Sequence, residues 1–167
     1  ENFFKKNSIN PQEFLDRVQS VFTKAITYSE RATGISLSEY NVVITHGKLK
    51  NGFSEAYRGT NVIGIDAELW NSGTKDKEVY FPMFGTSHEV YHLFNYETDP
   101  DESKFGREYS AMIHEAGMLF NVFGEERLKD DLHGRTEFIR KNAIDMTDLT
   151  RPVVTRVLAY HTALKVL

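Results

Sequence analysis

Apolar residues return at helical spacing between Pro11 and Thr33, where Phe14, Val18, Val21, Phe22, Ala25 and Ile26 form one stripe. Asn10 is a side-chain N-cap, Pro11 suits the first helical position, and Glu13 stands where a capping box needs it. Gly34 supplies the left-handed stop. Together these predict a helix over 11–33, packed across a sheet. The first ten residues are polar and carry no pattern. After the helix the character turns β-branched and aromatic: Tyr40–Thr45 predicts a strand, and Asn51-Gly52 a turn. Residues 53–57 read as a returning strand and Asn61–Asp66 as a further one, with Gly64 marking a bulge or a close backbone approach. Asn71–Thr74 reads as a turn, followed by the charged stretch 75–78.

The helical period resumes over 84–96, with Phe84, Tyr91 and Phe94 on one stripe and His88 and His92 on a second face. Thr86 or Ser87 is a possible cap, and Pro82 precedes them. An acidic loop, Glu97–Glu102, leads to a helix over 103–123 with Phe105, Tyr109, Met112, Ala116, Leu119 and Phe123 as its stripe, ended by Gly124. Two more amphipathic stretches, 128–145 and 149–167, read as helices. The expected fold class is α+β: a small antiparallel or mixed sheet packed on an N-terminal helix, then a helical C-terminal half, in a single domain over 1–167.

At 167 residues and a net charge of −4, the chain is long enough for a real core and gives no reason to expect nucleic acid or an anionic membrane as partner. No apolar run is long enough to insert in a bilayer. Cysteine is absent, so disulfides and thiolate ligands are excluded and any metal is held by His, Asp or Glu. Such a composition suits a domain that unfolds and refolds while crossing a membrane, which favours a secreted or translocated effector over a cytoplasmic protein.

The chemistry concentrates in His88-Glu89-Val90-Tyr91-His92, which reads H-E-x-x-H. Residues four apart share a helix face, so His88 and His92 can present two imidazoles to one Zn²⁺. Glu89 projects about 100° to the side and can reach a water rather than the metal. A third ligand is required. Glu108 and Glu115 point roughly the same way from the 103–123 helix; Asp99, Glu97 and His114 are further candidates. Glu108 has an alternative partner in Lys104, four residues earlier, whereas Glu115 has no basic residue three or four positions away on either side.

A helix bearing H-E-x-x-H, followed by a loop and a helix bearing Glu, resembles the zincin metallopeptidases, and among them the thermolysin-like gluzincins. Their second helix carries an Asn-Glu-Ala segment with a later Phe and Gly; here stand Ile113-His114-Glu115-Ala116 and Phe123-Gly124. The resemblance covers about 86–124 and implies a zinc peptidase with Glu115 as the third ligand. It departs from the family at His114 and at Leu119, where an Asp that bonds a ligand imidazole commonly lies. Asp145, Asp148 or a backbone carbonyl is left to fill that role. The metzincin pattern is excluded, because Asn95 and Thr98 replace its Gly and His.

The implied activity is zinc-dependent endopeptidase hydrolysis of a protein or peptide, with Glu89 as general base. Oxyanion donors are sought at Tyr160 and His161, then at His133 and Tyr96; Arg151 and Arg156 are available to orient a substrate carboxylate or Glu89. Val62–Asp66 is the expected exposed edge on which a peptide would dock as an added strand. The compact size suits a toxin or effector domain. The alternatives are a non-catalytic zincin-like binding or assembly module and a metal-dependent hydrolase of a non-peptide substrate.

Overall fold

The computed structural model describes residues 3–37, 39–45, 49, 54–73, 80–98 and 103–167. His46, a lone histidine beside a turn and expected at the surface, lies outside the described residues, as do the Asn51-Gly52 turn, the 75–78 stretch, Asp99 and the side chain of Glu97. The chain divides into two compact units, Glu1–Pro100 and Asp101–Leu167.

The first unit begins with a short helix α1 (Phe3–Lys6), a local turn the polar opening did not announce. Helix α2 (Pro11–Thr33) follows with the expected bounds. The Asn10 side chain accepts the Gln12 N–H at 2.9 Å, and Gly34 closes the helix at φ 72° with its N–H on Glu30 O. The predicted stripe is buried in full, from Phe14 to Ile26.

Three strands come next: β1 (Asn41–Thr45), β2 (Ser54–Tyr57) and β3 (Val62–Asp66). The sheet is mixed, in the order β1-β3-β2. β1 runs parallel to β3, and β2 runs antiparallel to it. Val62–Asp66 is therefore the central strand, not an edge. Both of its sides are paired, which corrects the expectation that a peptide docks there. Its burial fits the position, with Ile63 and Ile65 at 0% exposure. Gly64 sits in unbroken register between Val43 and Glu55, so it marks no bulge. It marks a close approach: a Cβ added there would stand 2.9 Å from the Tyr57 hydroxyl.

Asp66 ends β3 and starts helix α3 (Ala67–Gly73), its Oδ1 accepting the N–H groups of Glu68 and Leu69 at 3.0 and 3.1 Å. Asn71–Gly73, expected as a turn, are the last residues of this helix. α3 anchors the unit by burying Trp70, whose ring meets Phe14 edge-on at 5.8 Å.

Helix α4 (Tyr80–Thr98) carries the H-E-x-x-H segment and begins earlier than its stripe suggests. Pro82 falls in its first turn, where the missing N–H has no intrahelical partner to lose. Thr86 and Ser87 are consequently interior and fully buried rather than caps. The helix packs on α2, β2 and α3. Burial runs nearly all round it: Met83, Val90, Leu93 and Phe94 are buried, and so are His88, His92 and Asn95. Of the expected stripe, Phe94 is buried while Phe84 and Tyr91 are half-buried, and the histidine face is buried as well.

The second unit is three helices, α5 (Lys104–Phe123), α6 (Glu125–Lys141) and α7 (Pro152–Val166), each packed on the other two. Ser103 caps α5, accepting the Gly106 N–H at 3.1 Å. α6 starts before its apolar pattern does, because Glu125 and Glu126 fall in its first turn, where negative charge is favoured, and Lys129 pairs with Glu125 at 2.8 Å. It also stops short of Asp145, at Asn142 and the left-handed Ala143. Among the described residues, no helix is long and apolar enough to cross a membrane.

Candidate metal centre

His88 and His92 stand one helical turn apart on α4, and their Nε2 atoms face each other at 3.2 Å. The rings cross at 84° with centroids 4.8 Å apart. Two nitrogens held at about 2.05 Å from one zinc with a tetrahedral angle lie about 3.3 Å apart. The observed spacing fits shared coordination and, without a metal, a hydrogen bond between the two rings. Both imidazoles are buried, at 6% and 5% exposure. Tyr96, one turn further along α4, stacks on His92 at 5.8 Å and 14°, and the Arg58 guanidinium lies 5.9 Å from the centre of the Tyr96 ring. This stack resists rotation of the His92 ring.

His88, His92 and Glu108 each offer one ligand atom, and the three atoms lie within 4.8 Å of one another. Two imidazoles and a carboxylate form a donor set that suits Zn²⁺ and, with three protein ligands, leaves a fourth position for water or substrate. The group can hold a metal and is consistent with metal-dependent hydrolysis. Glu108 is half-buried on α5.

Glu89 is tied to the sheet. Its Oε2 accepts the backbone N–H of Ala56, on β2, at 2.7 Å. A backbone N–H has no signature in the sequence, so this partner was not visible there; nor was Arg58 over Tyr96.

Glu115 occupies a different setting. It is wholly buried, and both carboxylate oxygens are bonded within the second unit. Arg156 Nε donates to Oε1 at 2.9 Å and Arg156 Nη2 to Oε2 at 3.3 Å, while the Tyr160 hydroxyl also donates to Oε1. Arg135 lies over the opposite part of this cluster, 5.7 Å from the Tyr160 ring centre, and is itself held by Asp131 at 3.0 Å. Burial weakens the Arg156 charge, but Glu115, Tyr160 and Asp131 beside it outweigh that and raise its pKa.

The other expected site residues are placed as follows. Tyr160, sought as an oxyanion donor, donates its hydroxyl hydrogen bond to Glu115 and is itself fully buried. His161 and His133 are exposed on α7 and α6. Asp145 accepts from Thr147 at 2.8 Å, and Asp148 from Thr150 and Arg151, so both carboxylates serve local turns rather than a ligand imidazole. Arg151 is bound there, and Arg156 serves Glu115 rather than Glu89. Leu119 and His114 are buried on α5.

Comparison with known proteins returned no match among family models, curated proteins or solved structures.

The Tyr160 hydroxyl provides a direct test of the Glu115 cluster. Burial, reinforced by the Glu115 charge and opposed by Arg135 and Arg156, pushes its pKa well above the usual phenol value. The folded state thus keeps a proton that the unfolded chain releases near pH 10. The stability from this neutral phenol is complete below about pH 10 and is lost as pH rises past it. Tyr160→Phe is expected to lower stability by about 1.5–3 kcal/mol at pH 8, the loss of one hydrogen bond to a charged acceptor. Urea unfolding should show that gap narrowing at pH 10.5; a gap that widens instead would contradict the assignment.

Proposed function

We propose that this chain is a zinc-dependent peptidase in which His88, His92 and Glu108 hold the metal and Glu89 is the general base. The 3.2 Å separation of the two imidazole nitrogens carries the reading. It is supported by the order of residues on α4, since a purely structural metal site has no need of a carboxylate beside a ligand. The third ligand is reassigned from Glu115 to Glu108, because both Glu115 oxygens are engaged by Arg156 and one of them also by Tyr160. The zincin resemblance is kept on the H-E-x-x-H segment alone.

When bound, zinc supplies a Lewis acid that polarises the scissile carbonyl and acidifies water. Glu89 accepts a proton from the attacking water and delivers it to the leaving amine. Tyr96 holds the His92 ring through their stack. An extended peptide is the substrate that suits the sheet, and the outer side of β2 replaces β3 as its docking line. β2 packs on α4 and has a single strand neighbour among the described residues. A peptide added there gains backbone hydrogen bonds whatever its side chains.

Glu89→Gln is expected to keep the zinc and to lower turnover of unfolded casein by about 10²–10⁴-fold, the usual contribution of general-base catalysis. Casein cleavage at the native rate by this variant would remove Glu89 from the mechanism. Zinc binding without cleavage of casein by the native chain would favour a binding module instead.

A further inference from the structure

The Ala56–Glu89 bond has a consequence for how the site opens. In the antiparallel ladder Ala56 stands opposite Ile63. Alternate residues of such a ladder turn their N–H and C=O groups away from the partner strand. The Ala56 N–H goes to Glu89, so Ala56 is one of the outward-turned residues on the side of β2 away from β3. Glu55, Ala56 and Glu89 are all half-buried, within reach of an arriving chain. A backbone N–H makes one strong hydrogen bond at a time. A peptide strand pairing at this position needs that same proton for its own carbonyl, and the two acceptors compete.

We propose that Glu89 is a latch on the outer edge of β2, opened by the peptide that docks there. Pairing of a peptide carbonyl with the Ala56 N–H displaces the Glu89 carboxylate from the strand. The Oε2 atom released in this way is then open to the attacking water. No covalent bond changes in this step; one hydrogen bond replaces another. The coupling to catalysis rests on the peptidase reading, whereas the competition for the N–H does not. Ala56 thereby acts as a positioning residue through its backbone, and an occupied strand edge arms the base.

The test compares two variants of the full zinc-loaded chain, both lacking the base and equal in charge. Glu89→Gln retains an oxygen able to accept from Ala56, whereas Glu89→Ala has none. Fluorescence anisotropy with fluorescein-labelled casein is expected to show Glu89→Ala binding about five- to tenfold tighter than Glu89→Gln, the effect of removing one competing hydrogen bond. Equal or weaker binding by Glu89→Ala, or no binding by either, overturns the latch. A second arm removes the donor: Ala56→Pro in the Glu89→Gln chain is tolerated on an outward edge position, and should weaken casein binding about tenfold. Unchanged affinity there also overturns it. Failure of the peptidase reading is seen separately, as a native chain that leaves casein intact while the binding contrast stands.

Discussion

Replacing Glu108 by alanine is expected to lower zinc affinity by more than about a hundredfold, while Glu115→Ala leaves one zinc per chain bound near its native affinity. The size follows from rank: groups that merely orient a ligand are worth about 10- to 100-fold in metal affinity, so a direct ligand is worth more. The direction follows from the geometry. Glu108 contributes an atom to the group closing within 4.8 Å, together with His88 and His92. Glu115 has both oxygens bonded to Arg156, one of them also to Tyr160. Competition with a coloured chelator would measure the affinity, and circular dichroism would confirm that each variant is folded. Native zinc affinity in Glu108→Ala would refute the ligand assignment. The same measurement on His88→Ala and His92→Ala sets the scale, since losing either imidazole leaves a two-ligand site.

The contrast between these two glutamates shows what a sequence carries and what it does not. Periodicity and capping are local, and the α2 helix was legible from end to end, because Asn10, Pro11 and Gly34 act on their immediate neighbours. The His88–His92 pairing was legible for the same reason, four residues being one turn. Glu115 was recognisable as unusual, a carboxylate beside an apolar stripe with no base within a turn. Its partner, however, lies 41 residues away on α7, and nothing local announces it. The resemblance to a known motif then supplied an attractive but different explanation.

Strand order was hidden by the same limit. Each of β1, β2 and β3 was recognisable by composition, yet a strand's own residues do not say which neighbours it takes. The central place of β3 comes from pairing with β1 in parallel and β2 antiparallel, which leaves β1 and β2 as the outer strands, and of the two it is β2 that packs on the H-E-x-x-H helix. Helix α3 is a different case, since its signal was present in Asp66 as a cap ahead of Ala67-Glu68-Leu69-Trp70. Its final residues, Asn71-Ser72-Gly73, look like a turn and masked it.

The Glu115 cluster is expected to matter most for stability. Glu115→Ala should destabilise the fold by about 3 kcal/mol, at the lower end of the 3–5 kcal/mol typical when one partner of a buried ion pair is removed. The lower end applies because the Arg156 side chain is 15% exposed and can recover some hydration, whereas Glu115 is at 0%. The loss has two sources: an arginine left without its carboxylate, and a buried Tyr160 hydroxyl left without an acceptor. Glu115→Gln should lose less, because it still accepts from Tyr160. Replacing both partners, as Glu115→Leu with Arg156→Met, should recover most of the stability, because no buried charge is then stranded. Urea unfolding at pH 7 would read all three. A Glu115→Ala chain within about 1 kcal/mol of the native one would mean that the pair is as weak as an ordinary surface ion pair, and the double replacement separates the two cases. If the pair is structural, the double variant keeps both its fold and its zinc.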